Sequence, residues 1–351
     1  MLPVYNGEDY LKSALNSLIS QTYRNIEIII LDNHSSDKTR EICESFLKKD
    51  SRIKYILDTR RRTANDAQSY LATLISGEYC MLAGDDDKWD KNYIKLLVQY
   101  LQKNLYVSMV YSKMSWFDIN DKILESNVPN TILLAKNTIF KNLLIYLSIR
   151  SCVPMVFGLF RSKNYITNSP WKNFDYTLTD VDNLFIINFL SNNKVHCIDE
   201  NLFFYRFKDR SIQKKGSTNS KWQLEEKKVI LPKILEKFYH EVNFFIEIIK
   251  ILIKTNIGFI KKLFLALVSF IFCIERSFFN ISKLFGQILR KIKIINGYRI
   301  LPNTHPHQYH FEILATLGLP GYIFIFLFLL YFFYKIFYFY KISKNTINLS
   351  S

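Results

Sequence analysis

Residues 26–31 read IEIIIL and stop at Asp32. A short β-branched run bounded by polar residues is the mark of a strand buried on both faces, and such strands belong to parallel sheets covered by helices. The pattern returns at 53–57 and again at 79–83, where YCMLA runs into Gly84 and three aspartates, Asp85, Asp86 and Asp87. A further strand-like run covers 107–111. Between these runs lie helix-like segments. Leu11, Ala14, Leu15, Leu18 and Ile19 share one face of a helix over 8–21, with Asn6 placed to cap it. Residues 35–49 predict a helix started by Ser36 or Asp37, residues 66–75 another, and residues 91–102 a third that Asp90 can cap. This βαβα rhythm predicts an α/β fold: an open, mostly parallel sheet with helices on both faces. Ligands of such sheets sit beyond the carboxyl ends of the strands, where Asp32 and the aspartates 85–87 lie.

The rhythm stops near residue 220. Residues 221–300 are rich in Ile, Leu, Phe and Lys with few turn signals. Within them, 244–274 is apolar but interrupted by Glu247, Lys250, Lys254, Lys261 and Lys262, and its longest clean stretch, 263–274, is too short to cross a bilayer. That pattern predicts an amphipathic helix lying in a membrane interface. Residues 313–334 are uncharged and long enough to span, with Tyr322 and the tyrosines from 331 to 340 as interfacial anchors. The expected division is therefore 1–220, 221–300 and 301–351, the last with a transmembrane helix at 313–334.

Lys and Arg exceed Asp and Glu by 16. An excess of this size suits nucleic acid, an anionic membrane or phosphorylated substrates. No helix-turn-helix, zinc finger or aromatic RNA-binding motif is present, and the basic residues gather beside apolar runs, which argues against nucleic acid as a partner. The five cysteines, at 43, 80, 152, 197 and 273, show neither CxxC nor zinc spacing and read as reduced thiols of a cytosolic compartment. No secretory signal opens the chain.

Three acidic clusters carry chemistry. Asp32, at a strand end, can accept hydrogen bonds from the edge of a nucleotide base, or can cap the next turn. Asp85–Asp86–Asp87 repel one another unless a cation sits among them. Hard oxygen ligands on a strand-end loop suit Mg²⁺ or Mn²⁺ held jointly with a diphosphate, and a solvated acidic turn is the alternative. Asp180 and Asp182, in TLTDVDNLF, can supply a general base or an N-cap.

Four stretches, PVYNGEDYLKSALNSLISQTYRNIEIIILDN, SSDKT, GEYCMLAGDDDKWDKNYI and DVDNLF followed by KVHCIDENLFFYRFKDRSI, together resemble the bacterial family 2 glycosyltransferases of GT-A fold over about residues 1–215. The resemblance implies inverting transfer of a sugar from a nucleoside diphosphate donor, UDP-linked, with Mn²⁺ or Mg²⁺ as cofactor. It implies that Pro3, Tyr5 and Glu8 line the nucleotide pocket and that Asp32 binds the base. Asp85, Asp86 and Asp87 would hold metal and diphosphate, Asp180 would be the catalytic base with Asp182 as substitute, and Tyr205, Arg206 and Lys208 would form a phosphate-side motif. A glycan or lipid-linked acceptor is expected with it; the stretch 313–334 would anchor the chain in the bacterial inner membrane with the transferase facing the cytosol, and the C-terminal resemblance given below places the chain in surface-polysaccharide synthesis.

The chain departs from that pattern in places. It opens almost inside the first stretch, so part of a central strand is expected to be missing unless residues precede Met1. DNHS stands for DDGS, TRRRTANDAQSYLATL lacks the Gly and Asn usual before the metal motif, and DV stands for ED at 180. An inactive membrane-bound scaffold that keeps only the fold is the rival reading. Near the C-terminus, NTHPHQYHFEILATLGLPGYIFIF resembles the last periplasmic loop and final helix of the O-antigen ligase and polymerase family. There His305, His307 and His310 would recognise a polyprenyl-linked sugar, bind a metal or merely shape the loop.

Overall fold

The computed structural model describes residues 1–60, 62–124, 138–149, 153–168, 181–207, 233–271 and 273. They fall in one compact unit, Met1–Cys273. Asp180, Lys208, the histidines at 305, 307 and 310, and the stretch 313–334 lie outside them.

The strand-like run at 26–31 is the centre of a parallel sheet. β2 (Ile28–Asp32) pairs with β1 (Leu2–Val4) on one side and β3 (Ile53–Leu57) on the other, in the order β1-β2-β3. Asp32 stands opposite both Val4 and Leu57. Successive side chains of β2 point to opposite faces. Ile28 and Ile30 pack with Leu11, Leu15 and Leu18 of α1 (Leu11–Ile19) and with Cys43 and Phe46 of α2 (Thr39–Leu47). Ile29 and Leu31 pack with Ala67 and Leu71 of α3 (Ala64–Thr73). Helices thus cover both faces, and each fully buried aliphatic side chain contributes roughly 1.5–3 kcal/mol.

The second half of the sheet is not parallel, a correction to the mostly parallel expectation. β4 (Tyr79–Met81) and β5 (Lys88–Trp89) flank the acidic loop, and α4 (Tyr93–Lys103) follows. Then come β6 (Met109–Phe117), β7 (Ile123–Leu124), α5 (Ile139–Ile149), α6 (Val153–Val156), β8 (Leu159–Arg161), α7 (Ser162–Asn168), α8 (Val181–Asn192) and β9 (Val195–Arg206). The strand order is β4-β8-β6-β9-β5, with β7 on β6, and only β6 and β9 run parallel. Apolar periodicity reports which residues are buried but carries no information on strand direction. Two hydrogen bonds join the sheets in a parallel pattern: the Met1 amine donates to the Met81 carbonyl at 2.8 Å and the Ala83 amide to the Met1 carbonyl at 2.9 Å. On that side of β1 the next donor would be the Pro3 amide, which proline lacks, so pairing ends there and the loop at 84–87 diverges.

A cavity of about 380 Å³ lies beside Met1, lined by residues 26–29 and 75–81 among others.

Helix starts differ from the expected caps. Asn6 does not cap α1; it sits at φ 53° and its side-chain oxygen accepts from the Ser36 amide. α3 starts at Ala64, two residues before the expected 66, and Thr63 caps it by accepting from the Asp66 amide at 3.1 Å. Asp90 accepts from the Asn92 amide at 2.8 Å, one turn ahead of α4.

The stretch expected to lie whole in a membrane interface is two helices. α9 (Lys233–Lys254) buries Phe244, Phe245, Ile248, Ile251 and Leu252 and packs against α8, so its apolar face is core. A second helix covers 259–271. Among the described residues no helix is long and apolar enough to cross a membrane. The four described cysteines, 43, 80, 197 and 273, are buried free thiols, and burial pushes Cys43, Cys80 and Cys197 up to about 12.

Candidate active site

The C-terminal ends of β1 and β2 open into two loops, 5–10 and 33–38, that are tied to each other. The Asn6 amide donates to Ser35 Oγ at 2.9 Å, Gly7 to Thr39 Oγ1 at 2.8 Å and Glu8 to Asp37 Oδ2 at 3.1 Å. In return Glu8 Oε2 accepts from the Lys38 amide at 3.1 Å. The free amides at the start of α2 are therefore satisfied partly from the neighbouring loop. Glu8, expected at the nucleotide, acts here as a cross-loop cap. Pro3 and Tyr5 are half-buried on either side of Val4.

Asp32 is fully buried. Its Oδ1 accepts from the Ser35 amide and its Oδ2 from the Tyr55 hydroxyl, both at 2.8 Å. Burial, and then this hydrogen bond, raises the Tyr55 pKa. Asn33 holds the next loop by two bonds to the Arg62 backbone, at 2.7 Å and 2.6 Å. Burial alone would raise the Asp58 pKa, but the Arg60 amide and the Arg62 guanidinium outweigh it and hold the carboxyl below the usual range.

The acidic loop meets loop 5–10 directly. A Cβ on Gly7 would lie 2.8 Å from Asp85 Oδ2 and 2.7 Å from Val4 Cγ2. A Cβ on Gly84 would lie 2.7 Å from Asp87 Oδ2 and 3.2 Å from Asp86 Oδ1. Glycine at both positions is what lets the three carboxylates close over the strand ends. Asp86 and Asp87 converge over Gly84, and two carboxylates with a substrate diphosphate are the donor set that Mg²⁺ or Mn²⁺ takes in such sites. Among the described residues no group of three or more His, Cys, Asp or Glu forms a metal cage by itself. The residues thus fit a cation held jointly with substrate.

Arg206, at the end of β9, braces this loop from behind. Its amide donates to Asp87 Oδ1 at 3.0 Å and its Nε to the Asp86 carbonyl at 2.8 Å. One terminal nitrogen donates to the Asp118 carbonyl at 3.0 Å and the other to Asp121 Oδ1 at 2.9 Å. The guanidinium lies between the rings of Tyr10 and Phe117, at 4.3 Å and 4.2 Å from their centroids. Asp121, at φ 65° in the β6–β7 turn, also accepts from Lys88 at 2.7 Å. Partial burial works against the Asp121 carboxylate, but Lys88 and Arg206 win and lower its pKa. Gly7, Gly84, Tyr10, Lys88 and Asp121 were not singled out from the sequence. The glycines of NGEDY and AGDDD are the signal that could have found the first two.

Tyr205 stands edge-on to Trp116, with ring centroids 5.2 Å apart. Asp182 is exposed in the first turn of α8, which the Tyr146 hydroxyl pins to α5 through Asn183 at 2.7 Å.

Residues 1–165 match the family model described as glycosyl transferase family 2. That region belongs to glycosyl transferase family 2. Glycosyltransferase GlyG of Streptococcus pneumoniae serotype 4 is 33% identical over 103 residues, 29% of this chain and 34% of that one. The Escherichia coli UDP-Glc:alpha-D-GlcNAc-diphosphoundecaprenol beta-1,3-glucosyltransferase WfgD is 28% identical over 142 residues, 40% of this chain and 54% of that one. The chain thus spans from about a third to about half of these curated relatives. Among solved structures, Staphylococcus aureus TarS 1–349 in complex with UDP-GlcNAc superimposes with a TM-score of 0.56 at 15% identity, covering 74% of this chain and 68% of that one. The likeness to TarS is one of fold, and the α/β architecture of the GT-A type is shown with it.

Proposed function

We propose that the chain transfers a sugar from a nucleoside diphosphate sugar, UDP-linked, to a glycan or lipid-linked acceptor in the assembly of a bacterial surface polysaccharide, with inversion at the anomeric carbon. The observation that carries this reading is the meeting of loop 5–10 with the acidic loop at the C-terminal edge of the parallel strands, where the absence of a side chain at Gly7 leaves room for the Asp85 carboxylate. The UDP-GlcNAc complex of TarS and the diphosphoundecaprenol acceptor in the name of WfgD support the choice of donor and acceptor classes.

In this reading Pro3, Tyr5 and Glu8 shape the nucleotide side, and Asp32 sets its base end by fixing Ser35 and Tyr55. Asp86 and Asp87, with Asp85 beside them, would hold Mn²⁺ or Mg²⁺ together with the diphosphate. When bound, the cation neutralises charge on the departing diphosphate. Asp180 takes the proton of the acceptor hydroxyl, with Asp182 as substitute. Tyr205, Arg206 and Lys208 form the phosphate side, Arg206 by holding the acidic loop in place. Residues 313–334, uncharged throughout, anchor the chain in the inner membrane with the transferase on the cytosolic side, where nucleotide sugars are made.

The test is consumption of a panel of nucleotide sugars by purified full-length chain, with and without chelator. Turnover of a UDP-sugar that needs Mn²⁺ or Mg²⁺ is expected. Asp86→Ala or Asp87→Ala should abolish both the turnover and its metal dependence, a loss of several kcal/mol of barrier and so of orders of magnitude in rate. Binding of no nucleotide sugar under any metal condition would sink the proposal.

A further inference from the structure

The helix over 259–271 turns its apolar side to the outside. Its inner side is Leu265, Ser269, Phe270 and Cys273, with the Phe270 ring 5.7 Å from that of Phe245 on α9. Its outer side carries Phe259, Ile260, Leu263, Phe264, Leu267 and Ile271, which are between 46% and 81% exposed. At 3.6 residues per turn Ile260, Leu263, Phe264, Leu267 and Ile271 fall within an arc of about 100°, with Phe259 at the start of the helix. Ile253, 68% exposed at the end of α9, extends the patch. A contiguous apolar surface of this kind marks an interaction site.

Charge says what covers it. From residue 248 to 271 there is no acidic residue, and Lys250, Lys254, Lys261 and Lys262 lie among the apolar positions. Lys254 and Lys261 are exposed at the margins of the patch. A second copy of the chain would set lysine against lysine. Residues 274–351 carry nine Lys and Arg against two Glu, so they offer little negative charge to these lysines. A surface that is negative at the level of the lysines and apolar beneath does.

We propose that the 259–271 face docks into the interface of an anionic bilayer, its six apolar side chains below the headgroups and Lys254 and Lys261 at the lipid phosphates. The site goes beyond the transferase reading and does not depend on it. It would also hold the N-terminal unit against the surface where a lipid-linked acceptor resides.

The experiment places a tryptophan on the face, Leu267→Trp, in the full-length chain reconstituted into vesicles whose lipids carry bromine just below the headgroup. The four native tryptophans of the unsubstituted chain supply the background. With phosphatidylglycerol present, the added emission should be quenched. Lys254→Gln and Lys261→Gln should each lower the ratio of docked to undocked protein about fivefold, and high salt should do the same. Three outcomes overturn the proposal: no quenching in any vesicle, equal quenching in phosphatidylcholine alone with no effect of the lysine variants, or emission already protein-buried before lipid is added. The last would mean that a second copy or the chain's own C-terminal residues cover the face. None of these outcomes bears on sugar transfer, which is read separately.

Discussion

Replacing Arg206 by Met separates a brace from a substrate contact. The side chain is 1% exposed and makes three charge-assisted bonds, to the carbonyls of Asp86 and Asp118 and to Asp121, between two aromatic rings. Methionine keeps most of the stem volume and loses the fork. Each buried charge-assisted bond to a carbonyl contributes about 1.5–3 kcal/mol, and stacking on desolvated rings adds about 1–2 kcal/mol. The Asp121 link adds little, because that carboxylate is 50% exposed and keeps Lys88 as a partner. Allowing for the apolar contact that Met regains, Arg206→Met should destabilise by about 3–5 kcal/mol. Arg206→Lys, with charge but no planar fork, should lose less. Urea unfolding followed by tyrosine and tryptophan fluorescence measures the first effect, and calorimetric titration with UDP measures the second. Because the Arg206 amide still holds Asp87, UDP affinity should fall only about tenfold. Stability within about 1 kcal/mol of the parent, together with UDP affinity reduced a hundredfold or more, would refute the brace and make Arg206 a phosphate ligand. If Arg206→Met does not fold, Asp121→Asn gives a milder reading of the same link.

Three further outcomes are expected. Asp180→Asn should leave UDP affinity intact and reduce transfer on the order of 10²–10⁴-fold; if Asp182→Asn does this instead, the base is Asp182, and if neither does, the base lies elsewhere. Gly7→Ala would force its Cβ against Asp85 and Val4 and should destabilise by about 1–3 kcal/mol while weakening UDP binding, read by thermal unfolding with and without UDP. In a chain that begins at Met1, burial pushes the amine pKa from 8.0 down to about 6. The amine is neutral in both states above pH 8 and charged in both below pH 6, so stability should fall as pH drops through that window, by at most about 2.7 kcal/mol. Water admitted by the adjoining cavity would reduce the figure, and a few residues in peptide linkage to Met1 should remove the pH dependence altogether.

The parallel half of the fold was legible because its residues signal locally. Alternate side chains of β2 meet α1 and α2 on one face and α3 on the other, and each helix carries one apolar stripe. β3 runs over the residues its pattern predicts, and the aspartates at 32 and 85–87 end up at the strand ends, as strand-end carboxylates in an open α/β sheet should. What stayed hidden depends on partners far away in sequence. Nothing in VHCIDENLFFYR states that β9 runs parallel to β6 and antiparallel to β5, because pairing is chosen by register and connection rather than by side-chain period. The run from 244 to 271 has the same apolar-and-lysine composition throughout, yet its first half packs against α8 and its second half turns six apolar side chains outward. Composition could not divide it.

The site repeats this division between local and distant causes in a way that bears on its function. The acidic residues at and just beyond the strand ends are placed by their own strands and loops, but their orientation comes from another element: Asp32 from Tyr55 on β3, Asp37 from the Glu8 amide, Glu8 from the Lys38 amide, and Asp87 from the Arg206 amide 119 residues further on. Carboxylates left to repel one another would swing toward solvent. Held from behind by Arg206, with Asp121 and Lys88 supporting it, Asp86 and Asp87 keep oxygens converged over Gly84 before any substrate arrives. In the proposed reaction that preorganisation would remove reorganisation from the reacting step. An aspartate triplet without this arginine would retain the composition of the loop and lose its shape.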